Sequence, residues 1–119
     1  MNVTGLLHVA VLVSDLEAAK QFYEGILGLQ QKPRPDLESP GVWYDLGDAE
    51  LHLIVAAGPL PSVNERPKKD SHFALSVKDC ESIRKELKDA AVPFRESSGG
   101  APRLFVRDPD GNLIELQQT

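Results

Sequence analysis

Four stretches of the chain alternate apolar and polar side chains at the period of a β-strand, so each divides into an apolar face and a second, chemically different one. From Leu7 to Val13, the residues Leu7, Val9, Val11 and Val13 form the apolar face and leave His8, Ala10 and Leu12 on the other. Phe73, Leu75 and Val77 likewise set His72, Ala74 and Ser76 apart. Leu51, Leu53 and Val55 set His52 and Ile54 apart, and Ile114 with Leu116 do the same for Glu115 and Gln117. The apolar faces are expected to pack under helices. His8, His52, His72 and Glu115 are therefore predicted on the face that the helices leave open.

The helices are legible from a change of period. After Val13, the residues Leu16, Ala19, Phe22, Tyr23 and Ile26 recur at helical spacing. Ser14 and Glu17 have the spacing of a capping box, and Gly28 is a plausible terminator. Pro33, Pro35, Pro40 and Gly41 punctuate two short extended segments, Leu29 to Lys32 and Val42 to Leu46, ahead of a stronger strand from Glu50 to Ala56. The second half predicts a strand over Ser71 to Val77, a helix from Asp79 to Ala91 carrying Ile83 and Leu87, and extended pieces near Phe94, Leu104 and Leu113. Asp108-Pro-Asp-Gly-Asn112 predicts a tight turn joining two strands as a hairpin, because proline fixes φ while Asp, Gly and Asn tolerate the left-handed region.

The two halves are copies of one plan. His8-Val-Ala-Val-Leu-Val-Ser-Asp15-Leu-Glu17 and His72-Phe-Ala-Leu-Ser-Val-Lys-Asp79-Cys-Glu81 start 64 residues apart and agree at five of ten positions. His52 and Glu115 follow His8 and His72 by 44 and 43 residues. The expectation is an α+β protein of two tandem βαβββ modules within a single domain over residues 1–119: module 1 over 4–57, a linker rich in Pro and charge over 58–70, and module 2 over 71–119.

A chain of 119 residues with 41% hydrophobic side chains has material for one core. Its net charge of -5, with no basic cluster larger than Lys68-Lys69, argues against a nucleic-acid partner. No apolar run reaches the roughly 20 residues of a membrane span, and no leader is evident at Met1 to Gly5, so no membrane partner and a cytoplasmic location are expected. Cys80, the one cysteine, reads as a helix residue rather than a nucleophile.

Three imidazoles and a carboxylate on one face form a set with metal-ligand chemistry: imidazole suits Zn, Ni, Fe and Cu, and carboxylate also accepts Mn and Mg. A single strand histidine is ordinarily a half-buried polar residue. Here every histidine of the chain, together with Glu115, falls at an equivalent place in the repeat, and the set carries the argument.

With these residues in view, the chain resembles the vicinal oxygen chelate superfamily of glyoxalase I, fosfomycin-resistance proteins, bleomycin-resistance proteins and extradiol dioxygenases. The resemblance spans nearly the whole chain. It rests on His8 followed by Val13-Ser-Asp-Leu16, on Phe22-Tyr23-Glu-Gly-Ile-Leu-Gly28-Leu29, on His72-Phe-Ala-Leu-Ser-Val77, and on Asp108-Pro-Asp-Gly-Asn-Leu-Ile-Glu115-Leu. The resemblance implies an eight-stranded, curved, pseudo-symmetric cavity, with one divalent metal (Ni, Zn, Mn, Co or Fe) held by His8, His52, His72 and Glu115. It also implies a homodimer in which His8 and His52 of one subunit meet His72 and Glu115 of the other. The shared chemistry is chelation of a small substrate through adjacent oxygens, with Glu115 the residue for proton transfer.

Departures narrow the choice. Bacterial glyoxalase I typically has Glu, Arg and Asn where this chain has His52, Leu12 and Ala56, and the loss of the last two argues against a glutathione conjugate as substrate. His8, His72 and Glu115 supply the triad of fosfomycin-resistance enzymes, but Ser97-Ser98-Gly99-Gly100 is only a loose echo of their potassium loop. Extradiol dioxygenases use the same triad for iron, with a further pocket histidine that is missing here. The expected function is a divalent-metal-dependent lyase or isomerase of glyoxalase type. The alternatives are a non-catalytic binding protein of bleomycin-resistance type and an iron-dependent dioxygenase.

Some weaker signals remain. Only one of the adjacent Trp43 and Tyr44 can face the cavity, and Trp43 is the candidate pocket residue. Arg103, Phe105 and Arg107 share a strand face, where the arginines suit a substrate carboxylate or phosphate or are simply solvated. The stretch from Gly58 to Lys69 reads as a lid or a spacer.

Overall fold

The computed structural model describes all of residues 1–119, which form two compact units, Met1–Leu60 and Pro61–Thr119. Each unit is one βαβββ module, and the α+β expectation holds.

In the first unit, β1 (His8–Val13) leads into α1 (Leu16–Lys20), followed by β2 (Gln30–Lys32), β3 (Gly41–Asp45) and β4 (Glu50–Val55). The strand order is β1-β4-β3-β2, with β1 and β4 parallel and the other pairs antiparallel. The parallel pair requires a crossover between its members, and α1 with β2 and β3 supplies it. Val13, Ala19, Phe22, Tyr23, Val42, Tyr44, Leu51 and Leu53 are buried. Tyr23 stacks on Tyr44 at 6.1 Å between ring centroids, and Phe22 meets Tyr23 edge-on at 5.1 Å. Each such side chain contributes about 1.5–3 kcal/mol by leaving water. The Tyr44 hydroxyl donates to Glu24 Oε2 at 2.8 Å, and burial pushes this phenol up from its ordinary pKa.

Two details differ from the helical reading. The N-cap is Asp15, not Ser14: its backbone is extended and its carboxylate accepts from the Ala18 amide, as the repeat partner Asp79 does from the Glu81 amide. Beyond Lys20 the helix widens into a π-type segment, Gln21–Ile26, in which the Leu27 amide reaches back to the Phe22 carbonyl. The adjacent Phe22 and Tyr23 within it are both buried. Gly28 ends the segment at φ +71°, as a terminator should.

Gly41 of β3 leaves no room for a side chain against β4. A Cβ there would lie 2.3 Å from the Leu53 carbonyl oxygen, which is backbone and cannot swing away. Gly41→Ala is therefore expected to cost about 1–3 kcal/mol by forcing the two strands apart. A urea titration that placed the variant's midpoint at the wild-type value would disprove this close approach.

The second unit repeats the plan with β5 (His72–Val77), α2 (Cys80–Asp89), β6 (Phe94–Glu96), β7 (Arg103–Arg107) and β8 (Leu113–Gln118), in the order β5-β8-β7-β6. Cys80, Leu87, Leu104, Val106, Leu113, Ile114 and Leu116 are buried. The Cys80 thiol faces the carbonyls of Pro102 and Leu116, as suits a helix residue packed on its sheet.

Asp108 governs the β7–β8 turn. It is 3% exposed, and its carboxylate accepts from the Asp110 and Asn112 amides and from the Asn112 side chain, while Gly111 takes φ +89°. Part of the sequence between the modules is fastened to this unit. Val63–Glu65 forms a short turn of 3-10 helix capped by Ser62 and Glu65, and Arg66 Nε donates to the Asp110 carbonyl. Asp70 meets Arg107 at 3.0 Å and Arg66 at 3.7 Å. The hydrogen bond from Arg107 is the main cause that holds the Asp70 carboxyl below the usual range. No helix is long and apolar enough to cross a membrane.

Candidate metal centre

Strand register decides which side chains share a face, and here it builds the same row in both units. In the first, Ala10 lies opposite His52, His52 opposite Trp43, and Trp43 opposite Lys32. In the second, Ala74 lies opposite Glu115, Glu115 opposite Phe105, and Phe105 opposite Arg95. Each row reads small residue, candidate ligand, aromatic, cation. The small residue matters because it leaves space beside the ligand.

His52 is 8% exposed and sandwiched. Trp43 lies on one of its faces at 4.1 Å with the planes 2° apart, and His8 stacks on it at 4.1 Å and 15°. Its Nε2 is 2.9 Å from Glu50 Oε1, and Glu50 also pairs with Lys32. Hydrogen bonds from Lys32 and then His52 hold the Glu50 carboxyl below the usual carboxylate range. An ionised carboxylate only accepts, so Nε2 carries the proton and the neutral ring keeps its lone pair on Nδ1.

His72 is fixed by the same logic. Its Nδ1 is 2.9 Å from the Asp70 carbonyl oxygen, which can only accept, so the lone pair of the neutral ring lies on Nε2. That Nε2 is 3.9 Å from Glu115 Oε1. Two donors about 2.1 Å from one ion, at angles between square and tetrahedral, lie about 3–3.5 Å apart, so a shift of a few tenths of an ångström brings this pair to a shared ion. Glu115 is 9% exposed, and Phe105 stands edge-on to His72 at 5.6 Å.

The four predicted ligands thus come as two pairs, His8 with His52 and His72 with Glu115. No three His, Cys, Asp or Glu side chains in the chain gather as a metal-holding group. The chemistry of each pair nevertheless fits a divalent ion. Ligating histidines characteristically give their second ring nitrogen to a carboxylate or a carbonyl, and His52 and His72 do one each.

Comparisons with known proteins bear on the family and the fold. The model of the Glyoxalase/Bleomycin resistance protein/Dioxygenase superfamily matches residues 5–116. The chain belongs to that superfamily. Its two units are the tandem modules of the vicinal oxygen chelate fold. Glyoxylase I 4 of Arabidopsis thaliana is 29% identical over 98% of this chain and 71% of its own length. The mitochondrial methylmalonyl-CoA epimerase of Homo sapiens is 28% identical over 98% of this chain and 75% of its own. Among solved structures, a protein assigned to the glyoxalase family from Bacillus anthracis superposes with a TM-score of 0.85 at 26% identity, covering 100% of this chain and 98% of that one.

The weaker sequence signals can now be placed. Trp43 shares the His52 face, while Tyr44 is buried in the core. Phe105 lies beside Glu115, but Arg107 is taken up within its own unit, donating to Asp70, the Gly111 carbonyl and the Pro67 carbonyl. The Arg103 Nε is buried without a hydrogen-bond partner. Sequence reading missed Arg95, whose guanidinium lies 4.5 Å above the Phe105 ring, and it missed Glu50 and Lys32. Glu50 was findable, since it stands two residues before His52 and so shares its strand face.

Proposed function

We propose that this chain is a divalent-metal-dependent enzyme that moves a proton at a carbon beside a carbonyl, with lyase or isomerase outcome, on a small substrate chelated through adjacent oxygens. The observation that carries the reading is that His52 and His72 each have one ring nitrogen engaged and the other left for an ion. In the proposed centre His8, His52, His72 and Glu115 hold Ni, Zn, Mn, Co or Fe, with the two pairs drawn from the two subunits of a homodimer.

A bound divalent ion would polarise the substrate carbonyl as a Lewis acid. Glu115 takes the proton from the neighbouring carbon and returns it to the product. Trp43 and Phe105, one beside each buried ligand, limit water at the reacting carbon. Glu50 holds His52 in one ring orientation, and Lys32 holds Glu50. The relatives' names offer two substrates, methylmalonyl-CoA and a glutathione conjugate. Leu12, apolar and 47% exposed, argues against the second, since the resemblance places an arginine there in glutathione-using relatives.

Two measurements on the untagged protein test this reading. Plasma mass spectrometry is expected to find one metal per site, lost in His72→Ala, with Glu50→Gln weakening metal affinity about 10-fold or more. Proton NMR in D2O is expected to show deuterium entering methylmalonyl-CoA at the carbon between its carbonyls. A chain that stays metal-free after incubation with each of the five ions and exchanges no deuterium would end the proposal.

A further inference from the structure

The repeated row of small residue, ligand, aromatic and cation holds one asymmetry. In the first unit the terminal cation, Lys32, is neutralised by Glu50. In the second its counterpart, Arg95, meets only the face of Phe105, with no carboxylate beside it. Arg95 opens instead into a cavity of about 520 Å³ lined with Val63, Pro93, Phe94, Phe105 and Leu113, all apolar. A volume of this size suits a small organic ligand.

Its charged lining residues sort by what they already hold. Arg107 is committed to Asp70 and two carbonyls, and Asp108 to the amides of its turn. Arg95 and Lys68 line the same cavity and pair with no acid. An apolar cavity with two unpaired cations at its wall favours a ligand that is apolar along its length and anionic at its end. Phe105 connects this cavity to the proposed centre, because it lines the cavity and also lies opposite Glu115 and edge-on to His72.

We propose that the cavity beside Phe105 receives the far end of the substrate, an apolar or aromatic chain ending in a carboxylate or phosphate that Arg95 and Lys68 hold. Its role as a substrate subsite rests on the metalloenzyme reading; its preference for an anion does not. Phe105 then has two tasks, shielding Glu115 on one side and supporting the chain on the other. Substrates whose reacting end is unchanged but whose tail is neutral bind less well.

The test uses 4-phenylbutanoate and the matched neutral probe 4-phenylbutan-1-ol, titrated into the full-length protein and followed by nitrogen-15 correlation NMR, before and after chelator treatment. The butanoate is expected to bind about fivefold tighter or more. The double variant Arg95→Gln with Lys68→Gln, its spectrum confirming the fold, is expected to bind both probes alike, and Arg95→Lys to recover part of the preference. Equal binding of the two probes by the wild type, or an undiminished preference in the folded double variant, would overturn the assignment. His8→Ala, which alters a metal donor and no cavity residue, separates the two readings: the anion preference should persist there even as metal is lost. A preference that appears only with metal bound would show the carboxylate sitting on the ion, and the cavity assignment would fail.

Discussion

Glu115→Gln is expected to lower the rate of deuterium exchange by about 10²–10⁴, the range by which a positioned acid–base group contributes. The substitution keeps an oxygen near His72 and changes volume little, but an amide cannot take up and return the proton. Metal should therefore bind, more weakly, while turnover collapses. Comparing metal content with rate in one preparation separates the residue's two roles. A variant that loses metal and activity in equal proportion would reduce Glu115 to a ligand, and one retaining wild-type exchange would remove it from the chemistry. Burial at 9% exposed sharpens the expectation, since little bulk water reaches this carboxyl to act in its stead.

The second large effect concerns stability. Asp108→Ala removes an acceptor of two backbone amides and one side-chain amide at a position 3% exposed. Leaving such donors unpaired costs about 1–3 kcal/mol apiece, partly relieved where water reaches them, so a loss of about 3 kcal/mol is expected. For a chain of this length, the melting temperature should fall by about 10 °C or more. Asp108→Asn retains one side-chain oxygen and should fall between the two. An alanine variant that melts within a degree or two of wild type would show that the turn is held by Gly111 and Pro109 alone.

The sequence made the strands and the four candidate ligands legible because both depend on a period of two, which is local. Leu7 to Val13 needs no knowledge of its neighbours for His8 to stand apart from Val9 and Val11. What escaped was non-local. Arg95 sits beside Phe105, and Lys32 beside Trp43, only through the antiparallel register of β6 on β7 and of β2 on β3, and a strand of three residues gives no period from which to read it. Arg107 looked equivalent to Arg103 along β7, yet its partners Asp70 and Pro67 come from the stretch between the modules. The shift of the first N-cap from Ser14 to Asp15 has a simpler cause. Both residue types cap well, and Asp15 is the one whose backbone is extended and whose carboxylate reaches the Ala18 amide. The π-type segment at Gln21–Ile26 is not encoded in the helical period, which reads the same through it.

The parallel pairing of β1 with β4, and of β5 with β8, also governs when each pair of ligands comes into being. His8 and His52 are 44 positions apart, and the intervening chain must be closed into a loop before their strands can zip together. Closing a loop of that length costs about 3 kcal/mol of chain entropy, which local helix and hairpin formation do not have to meet. The His8–His52 and His72–Glu115 pairs are therefore expected to form after the helix and the antiparallel strands between them. Were the proposed centre to assemble from such pairs, a nascent chain would hold its imidazoles singly, and capture of an ion would mark a folded and paired protein.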